Sequence, residues 1–435
     1  MAKYSTEEPI YALATPFSPS ALAVIRASGD SVHSLLSPYF SRRIKKCEKN
    51  ALLHGYIKNK DGERIDEVML LLYPHGHGYT GEEAFEIISH GSLATIRGIS
   101  KVLESAGLRK ALPGEFTYRA FLHGRMDLTE AEAVEELVKA RSSKGSHDAL
   151  ERLSGSIKSE AEKARDSIID ILSSLEVYLD YGEDEIIDDW VFPVERTEEV
   201  ISRLSSIRDT YRATRLYSQG ATVVLAGRTN AGKSSLFNAL LKENRAIVSS
   251  EEGTTRDFLE STCEIEGIPV RLFDTAGLRE AENAIEIEGI RRSRDLMRDA
   301  DLVVYVLDGD EEEKGDEENI LYVHSKKDLT NSSSRFSFSS LTGDGVGTVC
   351  HEIATRLTRD IKQISDVPTI ESERQKEKLD ETIAALESAI KAKDQSEDII
   401  ALYFQSALSS LGELTGEITS EDILDHLFSN FCLGK

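Results

Sequence analysis

Residues 227–234 read Gly-Arg-Thr-Asn-Ala-Gly-Lys-Ser, which fits the pattern G-x-x-x-x-G-K-S. That spacing suits a polyphosphate. The glycines let the backbone curl until its N–H groups point at phosphate oxygens. Lys233 neutralises the outer phosphates, and the Ser234 hydroxyl ligates magnesium. An apolar run, TVVLAG, leads in, and SSLFNALL leads out. The expected unit is strand, loop and helix, with the positive end of the helix dipole at the phosphates. Asn230, Ala231, Gly232, Lys233, Ser234 and Ser235 are therefore candidate nucleotide contacts. Asp274-Thr275-Ala276-Gly277 follows the run RLF. An Asp there holds the magnesium shell, and the glycine N–H after it senses a γ-phosphate. Ser325-Lys326-Lys327-Asp328 follows ILYVH. Its Asp328 and Lys326 suit guanine, although Ser325 stands where the usual N-K-x-D pattern has Asn. Ser339 and Ser340 fit the segment that backs the base.

These residues need a scaffold. Between about 216 and 365 the runs ATVVLAG, VRLFDTAG, ADLVVYVLD, ENILYVHSKKD and RFSFSS alternate with helical stretches. Five such units predict a doubly wound α/β domain. Residues 1 to about 120 mix β-like runs (11–14, 21–26, 67–73 and 84–90) with helical stretches and read as an α+β domain. From 129 onward Leu150, Leu153, Ile157, Ala161, Ala164, Ile168, Leu172, Leu175 and Leu179 recur every three or four residues, the period of one helix face. Val200, Leu204, Ile207 and Tyr211 form a second stripe. Helical patterning returns after Pro368. The expected organisation is an N-terminal domain at 1–120, a helical domain at 121–215 and 366–435, and a nucleotide domain at 216–365 that interrupts it. The acidic run 308–318 reads as a solvated loop.

The bulk numbers agree with a multidomain folded chain. There are 435 residues, enough for about three domains at roughly 100–200 residues each. Hydrophobic residues make up 40% and charged residues 30%, within the range of ordinary globular proteins. No apolar run reaches the roughly 18 residues of a membrane span. The N-terminal apolar stretch is broken by Pro16 and Pro19 and follows Glu7 and Glu8, unlike a signal peptide. A cytoplasmic protein without a membrane partner is expected. The four cysteines (Cys47, Cys263, Cys350 and Cys432) are far apart and form no C-x-x-C pair. The net charge of −25 argues against a broad basic face for nucleic acid. An RNA substrate would need a local basic patch or a partner subunit for its phosphate contacts.

The chain closely resembles the tRNA modification GTPase family called MnmE or TrmE. The resemblance rests on PGEFTYRAFLHGRMDL (113–128) with TEAEAVEELVKA, and on YTGEEAFEIISHG (79–91). GRTNAGKSSLFNALL, EGTTRDFL (252–259), DTAGLRE (274–280) and the terminal FCLGK (431–435) complete it. It implies GTP hydrolysis with Mg2+ and K+. Many GTPases have Gln after DTAG to orient water; here Leu278 stands there. The family instead uses potassium in place of an arginine finger. The resemblance assigns the potassium shell to Asn230, Ser249, Glu251 and Thr254, and magnesium to Ser234 and Thr255. It makes Glu286 the catalytic residue that orients water, though on its own Glu286 reads as an ordinary surface carboxylate.

The same resemblance implies a 5-formyltetrahydrofolate site at Arg26, Glu86, Arg125 and Lys435, with Arg125 where the family usually has Lys. It leaves Cys432 as either a reacting thiol or a small buried residue. The stretch Ala14-Thr-Pro-Phe-Ser-Pro-Ser-Ala21 departs from the family's A-T-P-P-G-R-G-G by losing its glycines and arginine. The implied assembly is a homodimer working with a FAD-dependent partner, MnmG (GidA). The implied reaction adds an aminomethyl-type group to carbon 5 of the wobble uridine of tRNA, with glycine or ammonium as the nitrogen source. A ribosome-assembly GTPase would share the phosphate loop but not PGEFT or FCLGK. A folate-dependent aminomethyl transferase acting on protein would need no GTP.

Overall fold

The computed structural model describes residues 4, 6–181, 190–243, 259–274, 295–309, 311–312, 319–329, 336–359, 361, 367–429, 431–432 and 434. The chain divides into two compact units. One comprises Met1–Glu135, Leu153–Thr197 and Glu381–Lys435; the other comprises Glu136–Arg152 and Glu198–Asp380.

In chain order the described elements begin with β1 (Ile10–Leu13), β2 (Ser20–Ser28), α1 (Val32–Leu36), β3 (Ala51–Lys58), β4 (Arg64–Tyr73), β5 (Ala84–Gly91), α2 (Leu93–Ser105), β6 (Arg109–Lys110) and α3 (Glu115–Leu122). There follow α4 (Leu128–Lys139), α5 (Ser143–Leu153), α6 (Ser156–Tyr181), α7 (Val194–Asp209), α8 (Tyr211–Gln219), β7 (Ala221–Gly227), α9 (Lys233–Glu243), β8 (Leu259–Ile265) and β9 (Ile268–Asp274). The last are β10 (Leu302–Leu307), β11 (Ile320–His324), α10 (Val346–Thr358), α11 (Glu373–Lys391), α12 (Glu397–Thr415) and α13 (Glu421–Ser429).

The first unit contains a six-stranded sheet in the order β3-β4-β5-β2-β1-β6. All pairings are antiparallel except β1 with β6. Alternation decides its faces. Ile25 and Ala27 of β2, Phe85 and Ile87 of β5, and Leu70 and Leu72 of β4 point into one core with Ile99 and Leu103 of α2. The residues between them, Arg26 and Glu86 among them, face the other way.

Within this unit the start of the 113–128 segment packs against α13. Gly114 has φ +71, and a side chain there would collide with the Phe428 carbonyl. The Tyr118 ring packs edge-on against Phe428 at 5.4 Å, and Tyr4 stacks on Tyr118 at 4.7 Å. Glu115 is fully buried and holds the start of α3 in place. It accepts from Arg109 (2.5 and 2.9 Å), from the Leu112 N–H (2.8 Å) and from Arg119 (3.1 Å). Arg119, also fully buried, reaches Glu82 at 3.1 Å and the Glu8 carbonyl at 2.7 Å. Burial pushes the Glu115 carboxyl up. Arg109, the Leu112 N–H and Arg119 outweigh that and leave it below the ordinary carboxylate value.

The helical stripe of residues 150–179 is two helices rather than one. α5 ends at Leu153 and α6 starts at Ser156. Ile157, Ala161, Ala164, Ile168, Leu172 and Leu175 are buried along α6, whereas Leu150 and Leu179 are exposed. Val200, Leu204 and Ile207 are buried on α7, and Tyr211 belongs to the next helix.

The second unit contains a five-stranded sheet in the order β11-β10-β7-β9-β8. It is parallel except for β8 against β9. Its inner strands β7 and β10 are apolar on both faces, as expected of a sheet covered by helices. The core joins Val223 and Leu225 to Leu236 and Leu240 of α9 and to Val349 and Ile353 of α10. Each such buried aliphatic side chain contributes about 1.5–3 kcal/mol. The fifth strand is LESTCEI, not RFSFSS. The latter touches the sheet through one bridge, His324 to Ser337. Cys263 of LESTCEI alternates inward and is fully buried.

Candidate functional site

The phosphate-binding segment takes the form its residue types predict. β7 ends at Gly227 and α9 begins at Lys233. Gly227 has φ +137, and a side chain there would run into the Val306 carbonyl of the neighbouring strand. Only glycine lets the loop leave the sheet at that point. Asn230 adopts φ +62, a conformation that Asn tolerates better than most residues. Ala231 is buried under the loop, while Asn230, Ser234 and Ser235 are exposed at its mouth. Lys233 is buried, and its ammonium donates to the carbonyls of Gly227 (3.1 Å) and Arg228 (2.7 Å). Its charge thus lies within the curve of the loop.

The Ser234 hydroxyl donates to Asp274 at 2.7 Å. Asp274 ends β9, whose parallel pairing with β7 aligns Leu225 with Asp274. A hydroxyl and a carboxylate side by side form a hard oxygen donor set, the kind magnesium takes. Asp274 is fully buried, so its position is set by the sheet.

The base-reading segment follows β11. Ser325 is buried, and its N–H donates to the Leu307 carbonyl at 2.9 Å. Its hydroxyl has no hydrogen-bond partner among the described residues. It lies beneath the phosphate loop, its Oγ 3.4 Å from where a Gly232 side chain would begin. Lys326 has φ +59 and pairs with Asp308 at 2.6 Å. Asp308, read from sequence as part of a solvated run, thus anchors this turn. Asp328 is exposed at its tip. Ser339 is buried; its N–H donates to the Asp344 carbonyl at 2.9 Å, and its hydroxyl accepts from the Thr342 N–H at 3.3 Å. Ser340 beside it is exposed.

The predicted folate residues are only partly gathered. Arg26 and Glu86 are cross-strand partners and form an ion pair of 2.9 Å. Arg26 also donates to the Gly434 carbonyl at 3.0 Å, which fixes the C-terminus against β2. The Tyr73 hydroxyl donates to Glu86 at 3.3 Å. Burial, followed by the Glu86 charge, raises the Tyr73 phenol above its ordinary value. The guanidinium lies over Phe116 at 5.6 Å and Tyr79 at 5.8 Å. A carboxylate, a guanidinium and aromatic faces together suit a flat heterocycle carrying N–H donors. Phe116, Tyr73 and the Gly434 carbonyl were missed from sequence; Tyr79 lies in the YTGEE block and could have been singled out there. Arg125 is exposed, donates to the Gly76 carbonyl at 3.4 Å and packs on Gly81, in the loop that also carries Tyr79. Cys432 is exposed, so the reading of it as a buried packing residue does not hold.

Ser249, Glu251, Thr254, Thr255, Thr275, Ala276, Gly277, Glu286 and Lys435 lie outside the described residues. Among the described residues no group of His, Cys, Asp and Glu is placed to hold a metal by itself, and no helix is long and apolar enough to cross a membrane.

Two family models match. "MnmE helical domain" covers residues 128–432, and "GTP-binding protein TrmE N-terminus" covers residues 9–125. The tRNA modification GTPase MnmE of Treponema denticola is 36% identical, over 100% of both chains. That of Borrelia recurrentis is 38% identical over 99% of both, and that of Aquifex aeolicus 35% over 98% of this chain and 100% of its own. The G domain of the T. maritima FeoB iron transporter aligns at 25% identity over 33% of this chain and 99% of its own, with a TM-score of 0.24, too low to support any structural argument. A phosphate loop on a doubly wound sheet, beside these matches over the whole length, places this chain in the MnmE (TrmE) family of tRNA modification GTPases.

Proposed function

We propose that the chain is a potassium-activated GTPase that, with the FAD-dependent partner MnmG (GidA), adds an aminomethyl or carboxymethylaminomethyl group to carbon 5 of the wobble uridine in tRNA. The observation that carries the nucleotide half is the Ser234–Asp274 hydrogen bond of 2.7 Å beside the buried Lys233. It brings a hydroxyl, a carboxylate and a cation together at one loop, where they would hold magnesium and offset the charge of phosphates. Ser234 and Thr255 hold magnesium. Asp328 and Lys326, with Ser339 and Ser340 behind them, hold guanine. Potassium at Asn230, Ser249, Glu251 and Thr254 would supply the positive charge that an arginine brings in other GTPases. Glu286 orients the attacking water.

Arg26 and Glu86 hold a folate, such as 5-formyltetrahydrofolate, that provides the one-carbon unit; Arg125 and Lys435 act on its anionic tail. Their ion pair beneath two aromatic rings supports this half of the reading. The protein works as a cytoplasmic homodimer. The hydrolysis cycle switches the loops around 249–256 and 278–286 through their γ-phosphate contacts.

The deciding experiment is a hydrolysis assay in potassium and in sodium, run with GTP and with ATP. A rate several-fold higher in potassium, with GTP preferred, is expected. Equal rates in the two salts would remove the potassium reading. The wobble nucleoside profile of a deletion strain, read by mass spectrometry, tests the uridine chemistry separately.

A further inference from the structure

We propose that Glu311 is a positioning residue for the nucleotide: through the turn it shares with Asp308 it ties the phosphate loop to the base-reading turn, a link that Ser325 is too short to make. The proposal rests on the assignment of Lys326 and Asp328 to the base.

Ser325 opens the base-reading turn and lies directly under the phosphate loop. A side chain begun at Gly232 would meet the Ser325 Cβ at 3.1 Å and its Oγ at 3.4 Å. The two segments touch, yet the Ser325 side chain does not bond the loop. Its hydroxyl is buried and has no hydrogen-bond partner among the described residues. The Asn of the usual pattern would bring two donors and an acceptor, each one bond farther from the backbone.

The turn after β10 supplies a link of another kind. The Glu311 N–H donates to the Asp308 carbonyl at 3.2 Å and closes the turn. His324 Nδ1 stands 2.8 Å from the Gly309 carbonyl and fixes the turn to the end of β11. Two carboxylates of this turn then reach two different segments. Asp308 holds Lys326 at 2.6 Å, and Glu311 holds Arg228, the second residue of the phosphate loop, at 2.8 Å. The Arg228 carbonyl accepts from the Lys233 ammonium at 2.7 Å. Holding Arg228 therefore also holds the curve of backbone around the cation that faces the phosphates.

The sign of the effect separates this role from simple charge. A carboxylate beside a loop that holds phosphates repels them, so plain electrostatics has its removal tighten nucleotide binding. A tie has its removal loosen binding. Arg228 is 67% exposed in this pair, so the effect is small and screened by salt.

Titration calorimetry of the full chain with magnesium and GDP, which avoids hydrolysis, tests the proposal, each variant being compared with the unsubstituted chain at the same salt. Glu311→Gln should weaken GDP binding roughly two- to fivefold in about 50 mM sodium chloride and have no effect in about 1 M. Glu312, next in sequence, is exposed and has no ion pair among the described residues. Glu312→Gln should therefore leave binding unchanged or tighten it. Ser325→Asn should tighten GDP roughly three- to tenfold and cancel the effect of Glu311→Gln in the double variant. Unchanged or tighter binding in Glu311→Gln at low salt overturns the proposal. So does an equal loss in Glu312→Gln, a loss that persists in high salt, or strict additivity in the double variant. If Ser325→Asn does not fold, the sign and salt dependence of Glu311→Gln still decide. The preference of the unsubstituted chain for GDP over ADP, read in the same series, tests the base assignment separately.

Discussion

Ser234, in the first turn of α9, donates its hydroxyl to Asp274, the last residue of β9, across 2.7 Å. Two motifs separated in sequence become one site through this bond. Asp274 is fully buried, and a buried carboxyl group needs hydrogen-bond partners. Magnesium binding would exchange this hydrogen bond for metal contacts.

Asp274→Asn keeps the shape and removes the charge. Supporting carboxylates around a metal are worth about 10–100-fold in metal affinity or activity. We expect a loss of that order in GTP hydrolysis at limiting magnesium, partly recovered at high magnesium. A titration of rate against magnesium concentration measures it; an unchanged curve would detach Asp274 from the metal.

Glu115→Gln should strongly destabilise the first unit. The carboxylate is fully buried among Arg109, Arg119 and the Leu112 N–H. Breaking a buried pair by removing one partner costs about 3–5 kcal/mol, because the remaining charges stay buried. A lowered Tm is the readout. The pH dependence has a definite sign. The folded carboxyl lies below its ordinary value of 4.5, so its stabilisation is complete above that value and is lost as pH falls through the folded pKa. The wild type should lose stability on that descent more steeply than Glu115→Gln.

Arg26→Met and Glu86→Gln should each weaken folate binding and leave GTP hydrolysis by the isolated chain unchanged. Charge-assisted hydrogen bonds contribute about 1.5–3 kcal/mol, or roughly 10–150-fold in affinity. Fluorescence titration with 5-formyltetrahydrofolate checks this. Retained affinity in both variants would move the folate elsewhere.

Alkylation should separate the cysteines. Cys432 is exposed, whereas Cys263 is buried with its thiol pushed up to about 12, chiefly by burial. The thiolate is the reactive form, so Cys432 should be modified first and Cys263 only on unfolding. Mass mapping after timed iodoacetamide treatment reads the order. Early labelling of Cys263 would contradict its place in the sheet core.

Ser325→Ala should raise the Tm of the nucleotide-free chain or leave it unchanged. The hydroxyl is buried without a partner among the described residues, and such a group costs about 1–3 kcal/mol to desolvate. A clear fall in Tm would mean that the hydroxyl is bonded in solution.

The local chemistry was legible in the sequence because it depends on short spacings. G-x-x-x-x-G-K-S and DTAG each specify a backbone shape and a donor type within a few residues, and the apolar runs around them set the strand and helix periods. The strands β7, β9, β10 and β11 follow from such runs. The break between α5 and α6 was not legible, since a three-to-four residue period continues across Ser154 and Gly155. Nor was the fifth strand: LESTCEI is polar at alternate positions, as suits an edge, whereas RFSFSS has the apolar alternation and lacks the pairing. The meeting of Arg26 with Gly434, 408 residues away, has no signature in either segment. The same holds for Gly114 against Phe428 and for Lys326 against Asp308. Such contacts arise when whole elements pack to bury apolar area. Spacing along the chain determined which chemical groups exist and how each is locally presented; only the closure of the sheets and helices over their cores decided which of them face one another.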